Sequence, residues 1–135
     1  MPAKVFFDTS IILYIVSKDD WRAPIATDLL SGGGIISVQV LNEFVNVMRR
    51  KFRRDWDLVD EDVFDIRTLC NSILPVTLKT HEAGLRIARR YGFHIYDSLI
   101  VAAALEAGCS TLYSEDMQNG QIIESLTIRN PFANH

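Results

Sequence analysis

KVFFDTSIILYIV, residues Lys4 to Val16, holds a strand signal, an acid and a helix start in one short stretch. Lys4–Phe7 is a β-prone run that ends at Asp8. Thr9 or Ser10 then caps a helix running through Ile11, Leu13 and Val16. Strand, polar break, helix is the unit from which α/β sheets are built, and the chain repeats it. A helix over Ala23–Leu30 follows Asp19 and Asp20, and Ser31–Gly34 (SGGG) breaks it. Ile35–Val38 reads as a second strand. The next helix has apolar positions at Val40, Leu41, Phe44, Val45, Val47, Met48 and Phe52, a spacing that predicts one broad buried face.

Trp56 and Asp57 break that pattern, and another helix is predicted from Asp60 to Ser72. Leu74, Val76 and Leu78 alternate around Pro75, which reads as a short strand at a sheet edge. Thr80-His81-Glu82 opens a helix through Leu85, Ile87 and Ala88 that stops at Gly92, after Arg89 and Arg90. Ile95–Gly108 (IYDSLIVAAALEAG) is the next helix. Ser110–Ser114 is a strand, and Ile122–Ile128 supplies a last one. Strands alternating with helices predict an α/β fold, a central mostly parallel sheet flanked by helices on both faces. Ligands in such folds bind beyond the carboxyl ends of the strands.

A length of 135 residues fits a single domain over 1–135 with one core, and 48% hydrophobic with 23% charged residues excludes a disordered chain. No apolar run reaches the roughly 18 residues of a membrane span. MPAKVFFD lacks the layout of a secretory signal, so the reading is a cytoplasmic protein with no membrane partner. Cys70 and Cys109 match no metal spacing and read as free thiols. A net charge of −3 gives no bulk attraction for nucleic acid. Arg49, Arg50, Lys51, Arg53 and Arg54 are clustered, however, and read either as a solvated helix end or as a phosphate-contacting patch.

Four acids fit a surface role poorly. Asp8 ends the first strand. Glu43 lies among Val40, Phe44 and Val47. Asp97 shares a helical face with Ile100, Val101 and Ala104. Asp116 follows the strand Ser110–Ser114. Each has a plain alternative: an Asx-turn or helix cap at Asp8, an ion pair at Glu43, a cap or first-turn role at Asp97, turn chemistry with Asn119 and Gly120 at Asp116. Brought together, however, buried carboxylates repel one another and favour protonation. A hard divalent cation, Mg²⁺ or Mn²⁺, removes that conflict and can activate water for phosphodiester cleavage.

FFDTSIILY, VLNEFVNVM, YDSLIVAAALEAG and LYSEDMQNGQ, in that order, resemble the acidic motifs of PIN-domain ribonucleases. The acids are spaced 35, 54 and 19 residues apart, and the chain length resembles that of VapC-type toxins of toxin–antitoxin pairs. The resemblance spans the chain and implies a PIN-like three-layer sandwich. It further implies metal-dependent RNA cleavage by Asp8, Glu43, Asp97 and Asp116, an antitoxin partner and a homodimer. Ser10 and Ser114 match the hydroxyl positions beside the first and last acids. The Arg49–Arg54 cluster becomes a candidate contact for RNA or for an antitoxin's acidic tail. The further acid that some members carry after the last motif Asp is missing, since Met117, Gln118 and Asn119 follow Asp116.

His94 is the histidine nearest a motif and reads as a packing or loop residue. Trp21, Phe52 and Trp56 exceed what a small core readily buries, which fits a dimer. Two other readings are a PIN-fold module that binds RNA or protein without cleaving, and a magnesium-dependent phosphatase or phosphoreceiver. FFDTS lacks the second Asp of a D-x-D phosphatase loop, which disfavours the last.

Overall fold

The computed structural model describes residues 4–133; the start of MPAKVFFD and the terminal His135 lie outside the described residues. The elements are β1 (Val5–Phe7), α1 (Thr9–Ile12) with a 3₁₀ turn (Leu13–Ile15), α2 (Ala23–Ser31), β2 (Ile35–Ser37), α3 (Val38–Arg50) and α4 (Trp56–Leu69). They continue with β3 (Ser72–Leu74), α5 (Leu78–Tyr91), α6 (Ile95–Glu106), β4 (Thr111–Tyr113), β5 (Ile122–Ile123) and β6 (Leu126–Arg129). The strands form one sheet in the order β3-β2-β1-β4-β6-β5, parallel throughout except for the β5–β6 pair. This is the mixed α/β, mostly parallel architecture that the sequence predicts.

Successive strand residues point to opposite faces. Phe6 and Phe7 are both fully buried, so β1 is covered on both sides. The core continues through Ile36, Val40, Phe44, Ile100, Leu112 and Ile128. Helix α3 buries Val40, Phe44 and Met48 in one stripe, and α6 buries seven consecutive residues from Ser98 to Ala104.

The order in the sheet places the site. The chain runs outward from β1 to β2 and β3, then returns to lay β4 on the other side of β1. The winding therefore reverses between β1 and β4, where Phe7 pairs with Tyr113 and the Asp8 N–H donates to the Tyr113 carbonyl at 2.9 Å. Such a switch point opens a crevice beyond the strand ends.

Several boundaries depart from the predicted ones. The first helix is shorter than expected, and neither Thr9 nor Ser10 caps it. Asp8 holds the cap position without a side-chain cap bond, because Ser10 and Ser114 donate to its carboxylate. Trp56 opens α4 instead of interrupting it. The reversal comes earlier, with Arg53 at φ +49°, and the Arg49 guanidinium covers the Trp56 ring at 4.3 Å. β3 lies at the sheet edge as expected but stops at Leu74, since Pro75 has no N–H to offer. Helix α5 begins before Thr80, which closes a capping box with Thr77. The last predicted strand is two, β5 and β6, joined at Glu124, which has φ +55°. Gly92 ends α5 in the left-handed conformation, as predicted.

Gly34 is fixed by packing: a Cβ there would lie 2.1 Å from Cε2 of the buried Phe7 ring. Gly34→Ala should therefore cost about 1–3 kcal/mol in chemical denaturation. Gly32→Ala, whose Cβ would meet only the Leu29 carbonyl at 3.4 Å, should stay within about 0.5 kcal/mol. Equal effects of the two would refute the packing account.

Candidate active site

Asp8 anchors the site. It is 4% exposed, and Ser10 Oγ at 2.9 Å and Ser114 Oγ at 2.7 Å both donate to its Oδ2. Both hydroxyls are used again. Ser10 Oγ accepts from the Glu115 N–H at 3.0 Å, and Ser114 Oγ accepts from the N–H groups of Asp116 and Met117 at 3.2 Å. The two serines thus tie the end of β1 to the turn after β4.

Glu43 is carried by α3, whose first turn is capped by Ser37. It borders the buried stripe, and Gln39 donates weakly to it at 3.4 Å. Asp97 lies in the first turn of α6, but the cap is His94, whose Nδ1 accepts the Tyr96 N–H at 3.2 Å. His94 therefore has a definite role at the helix start, and Asp97 is free of the capping role open to it in the sequence. Asp116 is exposed after β4. Asn119 and Gly120 close the turn, through bonds to Asn130 and Ile128, without the Asp116 carboxylate.

The four carboxylates feel one another. Burial, opposed by the two serine bonds, raises Asp8 to about 6, with further upward pushes from the charges of Asp97 and Asp116. Burial, then the charge of Asp8, raises Glu43 to about 7, and Asp97 also contributes. Asp97 is raised by burial despite nearby His94, and Asp116 is raised by burial and by Glu115. None of the ion pairs among the described residues involves any of the four. Thr9 Oγ1 is buried without a hydrogen-bond partner, yet near enough to Glu43 to temper its rise.

Among the described residues, no three His, Cys, Asp or Glu side chains stand close enough to form a closed metal cage. The donor chemistry still fits Mg²⁺ or Mn²⁺: hard carboxylate oxygens, unneutralised and mutually repelling, with Asp8 oriented by hydroxyls. Such ions are commonly held by a few carboxylates, with water and substrate oxygens completing the shell.

Two parts of the surroundings sort themselves out only in three dimensions. Within the basic cluster, Arg54 is bound to Asp62 at 2.6 Å, and Arg49 donates to the Arg54 carbonyl while lying over Trp56. Arg50, Lys51 and Arg53 remain exposed. The sequence reading also missed Tyr14, Arg22 and Glu115, which form a charged network beside Asp116. Their only signal was Glu115 sitting between two motif residues. Cys70 and Cys109 are free thiols, both pushed up to about 11 by burial.

The model of the PIN domain family matches residues 5–119. The chain belongs to the PIN domain family. No curated protein matches it in sequence. Among solved structures, a toxin–antitoxin complex from Klebsiella pneumoniae is similar at 17% identity and TM-score 0.71, covering 96% of this chain and 98% of that one. FitAcB from Neisseria gonorrhoeae is similar at 18% identity and TM-score 0.70, covering 96% and 99%. The VapC20 toxin of Mycobacterium tuberculosis, which cleaves the sarcin-ricin loop, is similar at 19% identity and TM-score 0.69, covering 84% and 92%. These likenesses are of fold. No helix of the described residues is long and apolar enough to cross a membrane.

The raised acids set a pH dependence. A carboxyl raised from 3.8 to about 6, like Asp8, stabilises the fold fully below its unfolded pKa, and that contribution is lost as pH rises through 6. Glu43 extends the loss to about 7. The metal-free protein should therefore lose stability from these groups between about pH 4 and 7, and Asp8→Asn should flatten the trend and raise stability at pH 8. Urea unfolding at pH 4 and pH 8 checks this; a mutant less stable than wild type at pH 8 would contradict it.

Proposed function

We propose that this chain is an endoribonuclease that hydrolyses RNA phosphodiesters with Mg²⁺ or Mn²⁺ held by Asp8, Glu43, Asp97 and Asp116, and that it is the toxin of a toxin–antitoxin pair. The observation that supports the reading is the buried Asp8 carboxylate at the β1–β4 switch point of a PIN-family fold, electrostatically coupled to Glu43, Asp97 and Asp116, with no ion pair to any of the four among the described residues. A bound cation would supply a water of lowered pKa and offset the charge of the phosphate.

The chain's own residues have separable roles in this reading. Asp8 offers a carboxylate fixed by Ser10 and Ser114, which leave Oδ1 to the cation. Glu43, with its pKa near neutrality, gains most from a cation that holds it ionised. Asp97, in the first turn of α6, and Asp116, in the turn after β4, add their charges to that of Asp8. Exposed Arg50, Lys51 and Arg53 provide positive charge for an RNA backbone or an acidic antitoxin tail.

The partner reading draws on the similar structures, which include toxin–antitoxin complexes. A homodimer is supported by exposed apolar side chains, among them Phe64 at 68% and Trp56 at 56% exposure.

Purified protein should cut RNA with Mn²⁺ or Mg²⁺, and EDTA should stop it. Asp8→Asn should lower the rate more than about 100-fold, since even residues one layer behind a metal ligand are worth about 10–100-fold. Equal cleavage by wild type and Asp8→Asn would remove the site assignment, and RNA binding without turnover would favour a binding module.

A further inference from the structure

Arg22 lies outside every acidic motif, yet it is tied into the site. Its Nε and Nη2 donate to the two oxygens of Asp20 at 2.9 and 2.7 Å, and its Nη1 donates to Glu115 Oε2 at 2.7 Å. The same guanidinium lies 4.6 Å from the centre of the Tyr14 ring. Tyr14 donates its hydroxyl proton to the other Glu115 oxygen, Oε1. Glu115 is therefore gripped at both carboxylate oxygens and at its N–H, which donates to Ser10 at 3.0 Å.

An isolated exposed ion pair has little consequence. This one differs in three ways. The planar fork of Arg22 engages two carboxylates at once, which an ammonium cannot reproduce. The side chains of Arg22, Asp20 and Glu115 are only 29%, 25% and 24% exposed. Glu115 also stands between Ser114, which donates to Asp8, and Asp116. Left loose, it would be a fifth carboxylate beside the four, able to swing towards any cation they hold. Bonded to Arg22 and Tyr14, it is held at both oxygens and cannot swing.

We propose that Arg22 is a positioning residue: by holding Glu115 it fixes the Ser114–Met117 turn, so that Asp116 and the Ser114 hydroxyl keep their places around Asp8. This rests on the metal-binding reading given above. Arg22 touches neither substrate nor cation and acts through the turn.

The test uses the full chain as wild type, Asp8→Asn, Arg22→Gln, Arg22→Lys, Glu115→Gln and the Arg22→Gln/Glu115→Gln double variant. Calorimetric titration with Mn²⁺ alone is read beside kcat and KM on an RNA. Arg22→Gln should weaken Mn²⁺ binding about 10-fold and lower kcat by a similar factor, leaving KM within about two-fold. The double variant should be no worse than Arg22→Gln, because both substitutions act on one contact. Arg22→Lys should fall between Arg22→Gln and wild type. If Arg22→Gln does not fold, Glu115→Gln and Arg22→Lys carry the same expectation of weakened Mn²⁺ binding. Wild-type Mn²⁺ affinity in the Arg22 and Glu115 variants, with binding lost in Asp8→Asn, overturns the positioning role alone. A raised KM with kcat and Mn²⁺ affinity intact also overturns it, making Arg22 a substrate contact. Equal Mn²⁺ binding by wild type and Asp8→Asn overturns the metal site itself.

Discussion

A carboxylate buried between two strands, held by two hydroxyls and no cation, is the constraint around which the rest is arranged. Asp8 ends β1 where β4 lies alongside, and Ser10 and Ser114 reach its Oδ2 from the two sides of that junction. Desolvating a carboxylate is costly, and two hydroxyl bonds recover only part of the cost, as the raised pKa of about 6 shows. A fold that keeps such a group has its stability working against it. The surrounding core supplies the compensation, with Phe6, Phe7 and Leu112 fully buried and Tyr113 stacked on Phe7 at 5.7 Å. Burying a large apolar side chain contributes about 1.5–3 kcal/mol, enough for a few such residues to offset one strained acid.

The topology sets the elements that carry these acids side by side. Asp8 and Asp116 follow adjacent strands, though they lie more than a hundred residues apart in sequence. Glu43 and Asp97 come from helices α3 and α6, which pack against each other and against β2. Glu43 and Asp97 are carried by helices that apolar stripes lock in place. Val40, Phe44 and Met48 do this for α3, and Ile100, Val101 and Ala104 for α6. The seven-residue buried run of α6 explains why a helix with one charge in its first turn could be read as core and as site at once.

Much of this was legible in the sequence because it rests on local chemistry. Strand, acid and helix succeed one another visibly in KVFFDTSIILYIV, and Gly92 is a helix stop by its backbone freedom alone. What was not legible depends on distant partners. Thr9 and Ser10 looked like caps because nothing local reveals that Ser10 and Ser114 both turn to Asp8. Trp56 looked like a break because its partner, Arg49, is one helix back. The hairpin of β5 and β6 hides in a seven-residue stretch, Ile122–Ile128, whose reversal sits at Glu124, a residue type that gives no turn signal. His94 looked like a packing or loop residue, although its ring caps α6. Within the basic cluster, sequence gave five equivalent cations, and tertiary contacts engage two of them elsewhere.

The repulsion among the acids bears on how they could hold a cation. Among the described residues no three such side chains form a closed set. A cation held by such a set depends on further oxygens, which water and a phosphodiester both supply. Affinity for the ion and affinity for a phosphate are then linked, since each ligand lowers the cost of binding the other. The turn after β4 is where this linkage is most easily lost, because Asp116 is the most exposed of the four and leans on Ser114 and Glu115 for its backbone position. Residues that neither bind the ion nor touch a substrate can therefore govern both.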